Sequence, residues 1–179
     1  MKLIYPKKLS SIHIPINING ELQKCILSRV KNTSFNIRNP YQLFNEICNT
    51  YQHGFKYMLN HPKYGLWVGV SPETLICGDL NSGFHTHALA GSIPVNSKQK
   101  WTKKEKEEHQ YVVDHIKILI DKYGSLISES STEEVNAGNV KHLNKDFRFK
   151  INEGILPFIR ALHPTPAIAG TPTKKAIDL

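Results

Sequence analysis

The sequence predicts an α+β fold in which antiparallel sheet is flanked by helices. Two observations carry this. Between residues 55 and 89 four short segments of strand character follow one another, divided by turn signals, a spacing that suits hairpins and not helical crossovers. A single long amphipathic stretch, residues 102–123, then has the helical period with start and stop signals at its ends.

In chain order, residues 1–19 surround an alternating Ile12-His13-Ile14-Pro15-Ile16-Asn17-Ile18 and are expected to form an arm or edge strand. Residues 20–179 are expected to form the domain itself. Cys25–Val30 is an apolar run and reads as a strand. Asn39-Pro40 opens a helix that places Leu43, Phe44, Ile47 and Tyr51 on one side. Strands follow at Phe55–Leu59, Leu66–Val70, Thr74–Cys77 and Phe84–Leu89, separated by Asn60-His61-Pro62, Ser71-Pro72, Gly78-Asp79 and Asn81-Ser82-Gly83. In the long helix Thr102 and Glu105 fit a capping box, and Gly124 stands where a C-terminal glycine belongs. Ser128–Asn139 is polar and reads as weakly ordered; 139–149 reads as a strand and 154–162 as a short helix. Thr171-Pro172 matches an N-cap followed by proline at the first helical position, with seven residues after it.

Composition excludes several classes. The chain is 40% apolar and 21% charged, with no run near the roughly 18 apolar residues of a membrane span. Lysine and proline interrupt Met1–Lys8 before a signal-peptide core can form, so a cytoplasmic protein is expected. Cys25, Cys48 and Cys77 are an odd number without metal-ligand spacing, each in an apolar stretch, and buried reduced thiols are expected. The net charge is +8, of which residues 1–60, with eight basic and two acidic side chains, hold +6. That excess is scattered and not striped, so no nucleic-acid partner is assigned.

Some residues stand out chemically. Counting by helical spacing from Glu108 gives Val112, His115, Ile116 and Leu119, an apolar face; counting from Glu107 gives Gln110, Asp114, Lys117 and Asp121, a wet one. A carboxylate on the apolar side costs several kcal/mol unless paired, protonated or metal-bound. A place in the first turn, where acids favour the helix dipole, is the competing explanation. Glu73 follows Ser71-Pro72 at a break between strand-like runs and reads as a solvated turn acid or a functional strand-end residue. Lys24 precedes an apolar run and points inward or snorkels outward. His85 and His87 share a strand face like a metal pair, with no third ligand at matching spacing. Ala88-Leu89-Ala90-Gly91-Ser92 has small residues and a glycine, through which backbone amides can approach an anion.

Taken in order, these fragments resemble the chorismate-utilising enzyme family. The resemblance runs through Lys24-Cys-Ile-Leu-Ser-Arg29, Gly69-Val-Ser-Pro-Glu73 and Ala88-Leu-Ala-Gly-Ser92. It continues through Lys104–His109 with Val112-Val113-Asp114, Val140–Leu143, and Leu162-His-Pro-Thr-Pro-Ala-Ile-Ala-Gly170 with Pro172, spanning residues 20–179. It implies the family's chorismate-binding α/β sandwich, here in part. It implies roles for Lys24 as general base on an attacking water, Glu73 as general acid to the departing 4-hydroxyl, and Glu108 as a magnesium ligand. Ala90, Gly91, Ser92, His163 and Ala167 would line the substrate site. The implied reaction isomerises chorismate to isochorismate, as water adds at C2 and the C4 hydroxyl leaves. Ammonia-using members carry glutamine where Lys24 stands, the aminodeoxychorismate type lysine where Ala90 stands, and pyruvate-eliminating members threonine where Ala167 stands. The water-adding branch is therefore the nearest, with salicylate synthase next. The family's Gly-Ala-Gly segment and Glu-x-x-Glu-x-x-x-Lys motif do not occur, so part of the domain and a possible complementing chain are expected.

Overall fold

A computed structural model of the chain describes residues 22–26, 39–71, 73–137, 139–152 and 154–178. The expected 1–19 arm, and residues 27–30 of the expected 25–30 strand, lie outside them. The described residues divide into two compact units, 39–74 and 22–26 with 75–178.

In the smaller unit, Asn39 caps helix α1 (Pro40–Thr50): its side chain accepts from the amides of Tyr41 and Gln42, and Pro40 occupies the first turn. Strands β2 (Phe55–His61) and β3 (Gly65–Ser71) then form an antiparallel hairpin in which Phe55 faces Ser71 and His61 faces Gly65.

The larger unit contains strand β1 (Lys24–Cys25), named here for its place ahead of that hairpin, and a five-stranded antiparallel sheet. The sheet runs β4 (Cys77–Asp79), β5 (Gly83–Pro94), β8 (Val140–Ile151) and β6 (Gly124–Glu129), and β7 (Glu133–Ala137) pairs with the other half of the long β8. Helix α2 (Lys103–Tyr123) and helix α3 (Ile155–Leu162) pack beside it, and β9 (Gly170–Thr171) pairs with β1 before the short α4 (Thr173–Ile177).

The two periodicities meet in the core. Phe84, Thr86, Ala88 and Ala90 alternate inward along β5, and Leu143, Phe147 and Phe149 do so along β8. Of these, Phe84, Ala88, Ala90, Phe147 and Phe149 cluster with Val112, Val113, Ile116, Leu119 and Ile120 of α2, and with Phe158 and Leu162 of α3. Phe147, Phe149 and Phe158 are fully buried, each stabilising the fold by about 1.5–3 kcal/mol through removal of its ring from water.

Several expectations change. Residues 128–139, read as weakly ordered, hold the end of β6 and all of β7, because the twelve-residue β8 supplies a ladder for both; their exposed, polar positions hide the strand signal. Gly124 ends α2 in extended backbone (φ −164°), without the left-handed turn of a C-terminal glycine. A Cβ there would lie 1.8 Å from the Lys150 carbonyl oxygen, so the glycine answers a close strand approach. Strand β4 begins at Cys77 and not at Thr74. The last helix takes Pro172 as its N-cap, because Thr171 is held in β9. None of the cysteines is buried: Cys25 and Cys48 are half-buried and Cys77 is exposed. Among the described residues no helix is long and apolar enough to cross a membrane.

Candidate active site

Lys24 lies on a two-residue strand that has little to hold it except its partner. The Gln23 amide donates to the Thr171 carbonyl (2.8 Å) and the Ile26 amide to that of Ala169 (3.2 Å), with Lys24 opposite Thr171. Gly170 allows this approach: a Cβ there would meet the Lys24 carbonyl oxygen at 2.2 Å. The lysine side chain is drawn inward, and the residue is only 6% exposed. Burial lowers its pKa below the ordinary value, the Glu108 carboxylate raises it in part, and the Lys104 ammonium lowers it again.

Glu108 is likewise 6% exposed, on the side of α2 that its spacing indicates. Lys104, one turn earlier, reaches it at 3.8 Å. The structure therefore places two ammonium groups and one carboxylate in mutual electrostatic range. The first turn of α2 is fixed as a capping box: the Glu105 carboxylate accepts from the Thr102 amide (2.9 Å) and the Thr102 hydroxyl.

Ala90, Gly91 and Ser92 sit where β5 slips register. Ala90 faces Leu143 and Ile93 faces Lys141, so Gly91 and Ser92 together oppose the single His142, a β-bulge. Gly91 has φ +70°, and a Cβ there would touch Glu105 at 3.2–3.3 Å and Trp101 at 3.5 Å; the bulge thus rests on the turn that leads to Glu108. His142 Nδ1 lies 2.8 Å from the Gly91 carbonyl and 2.9 Å from Ser92 Oγ. A carbonyl only accepts, so Nδ1 carries the proton and donates there, leaving Ser92 free to turn its own hydroxyl elsewhere. Trp101 is clasped in turn, its indole donating to Glu134 (2.6 Å), which also takes Lys141 (2.9 Å).

His163 caps the end of α3 and is exposed; Ala167, in the turn after it, packs half-buried on the core. Glu73 belongs to the smaller unit and is half-buried, which raises its pKa above the ordinary carboxylate value.

Three further residues were given no part in the site by the sequence. His109 is buried and donates from Nε2 to the Ala88 carbonyl (3.2 Å), tying α2 to β5; its spacing to Val112, Val113 and Ile116 marks the apolar face that it joins. His142 was visible only inside Val140–Leu143. The Thr171 hydroxyl, opposite Lys24, is buried with no hydrogen-bond partner among the described residues, which no local signal could reveal.

A family model described as chorismate binding enzyme matches residues 5–179. The chain belongs to the chorismate binding enzyme family. This chorismate binding enzyme is 30% identical over 125 residues to the salicylate biosynthesis isochorismate synthase of Pseudomonas aeruginosa, covering 63% of this chain and 26% of that protein. It is 25% identical over 173 residues to isochorismate synthase MenF of Haemophilus influenzae, covering 88% of this chain and 40% of the relative. Its fold is that of anthranilate synthase component I from Streptococcus pneumoniae, with a TM-score of 0.64 at 19% identity over 89% of this chain and 37% of that one. The chain spans less than half the length of each.

Proposed function

We propose that this chain carries residues of an isochorismate-forming site acting on chorismate in the cytoplasm. The observation that carries the reading is Lys24: a buried amine with a lowered pKa is the form of lysine able to take a proton from water, and a glutamine would be expected where ammonia attacks. In this reading Lys24 deprotonates the water that adds at C2. Glu73, whose raised pKa suits an acid, protonates the hydroxyl departing from C4. The Ala90-Gly91-Ser92 bulge takes a substrate carboxylate, with His163 and Ala167 bordering the ring. Relatives named isochorismate synthase support this choice over other chorismate chemistry.

Magnesium is the cofactor that the family resemblance implies. Among the described residues no three His, Cys, Asp or Glu side chains gather to hold a metal ion. Glu108 offers one carboxylate, beside two ammonium groups, so these residues do not by themselves fit the ion.

In a second reading, the remaining ligands come from a complementing polypeptide. Both are tested by incubating the chain with chorismate and magnesium, by itself and mixed with the segment of the Haemophilus influenzae relative that it does not match. Chromatography should show isochorismate at least in the mixture, and Lys24→Met should reduce the rate by about 10²–10⁴-fold, the usual worth of a general base. Salicylate or anthranilate as product, no product in the mixture, or an unchanged rate in the variant would each overturn the proposal.

A further inference from the structure

The face of the sheet turned away from α2 carries a second constellation, outside the candidate active site. Register creates it. Cys77 on β4 stands directly opposite His85 on β5, and His87 stands opposite Asp146 on β8. Residues opposite one another share a face and diagonal neighbours come within reach of long side chains, so His85 lies between the thiol and the carboxylate. Cys77 Sγ is 3.6 Å from His85 Nδ1, and His85 Nε2 is 3.1 Å from Asp146 Oδ1. Asp146 is itself held, its amide donating to Ser130 Oγ (3.0 Å) and its other oxygen accepting from Asn144 (3.3 Å). His87 flanks His85 edge-on at 6.2 Å.

The carboxylate decides the tautomer. An Asp146 oxygen only accepts, so the proton of neutral His85 sits on Nε2 and Nδ1 presents a lone pair to the thiol. Nucleophile, base and orienting acid thus follow one another at hydrogen-bond spacing, the arrangement that activates a thiol for attack. Cys77 is exposed on a three-residue strand at the sheet edge, so a small molecule can reach it.

We propose that Cys77, His85 and Asp146 form a thiol-modification site that takes low-molecular-weight disulfides. Exchange suits the geometry because negative charge stays on sulfur throughout, whereas acyl transfer requires donors aimed at a new oxyanion. His85 Nδ1 takes the thiol proton, Cys77 Sγ forms a bond to one sulfur of the disulfide, and the S–S bond breaks. The leaving thiolate takes the proton from His85. One thiol and one disulfide become one mixed disulfide and one thiol.

The probe is oxidised glutathione, added to the full chain at neutral pH and followed by acid quench and peptide mass mapping. Cys77 should gain the adduct ahead of Cys25 and Cys48. An ordinary thiol is only a few per cent ionised at neutral pH, so activation has room for about 30-fold. His85→Gln should slow Cys77 by about tenfold and Asp146→Asn by about threefold, within that ceiling, with Cys25 and Cys48 unchanged. Wild-type Cys77 should also react about tenfold faster in the native chain than in urea, a comparison that needs no variant to fold. Modification of Cys25 or Cys48 first, a His85→Gln rate within twofold of wild type, or a native rate no faster than the unfolded one would overturn the proposal.

Discussion

Gly170→Ala tests the contact that holds Lys24 in place. The added Cβ would lie 2.2 Å from the Lys24 carbonyl oxygen and 2.8 Å from the Ala176 Cβ. A comfortable carbon–oxygen contact is about 3.3 Å, so β1 must retreat by about 1 Å. The flanking hydrogen bonds, 2.8 Å from Gln23 to Thr171 and 3.2 Å from Ile26 to Ala169, then stretch beyond useful range. Losing both costs about 2 kcal/mol, and an alanine at φ +128° adds about 1–3 kcal/mol of backbone strain. The expected penalty is about 3–5 kcal/mol, concentrated in β1, since detaching that strand relieves the clash. Hydrogen exchange should show the amides of Gln23 and Ile26 losing protection by about 100-fold or more, at tenfold per 1.4 kcal/mol. Acetylation of Lys24, slow while the residue is buried, should quicken in parallel. Gly154→Ala is the control, because a Cβ there meets nothing within 4 Å. Wild-type protection at both amides and unchanged Lys24 labelling in Gly170→Ala would refute the reasoning.

Two pH effects follow from the buried groups. Burial lowers the Lys24 pKa below 10.5, so the unfolded chain binds more protons between that lowered value and 10.5. Stability contributed by Lys24 should therefore rise with pH across this window, and urea denaturation should show the slope flattening in Lys24→Met; parallel curves would contradict it. Glu73 runs the other way: its folded pKa is raised above 4.5, so its contribution is present below 4.5 and lost as pH rises through the raised value. Glu73→Gln should remove that loss, making the variant the more stable of the two at neutral pH; equal stabilities at neutral pH would count against it.

The extent to which the fold could be read depended on whether a signal was local. Helix α2 was legible because twenty-one residues repeat one period and Thr102 with Glu105 marks its start. Strands β2 and β3 were legible because their residues are apolar and bounded by turns. Strands β6 and β7 were not, since they are ordered by β8 and not by their own composition. Cys77 shows the same limit: its apolar neighbours Leu75 and Ile76 do pack on the core, but the chain turns into an exposed edge strand immediately afterwards. Glu108 was legible, because helical spacing alone separates it from Glu107.

By itself, the sequence determined which side chains share a face: Glu108 with Val112 and Ile116 on one helix, and His85 with His87 on one strand. These follow from the fixed periods of helix and strand, which need no partner. Only the tertiary structure decided which faces meet. It brought Lys24 beside Glu108 across more than eighty residues, set the β5 bulge against the first turn of α2, and aligned Cys77, His85 and Asp146 across three strands. Register and close backbone approach are set by contacts between separate elements, Gly170 against Lys24 and Gly91 against Glu105, which the period of neither element reports.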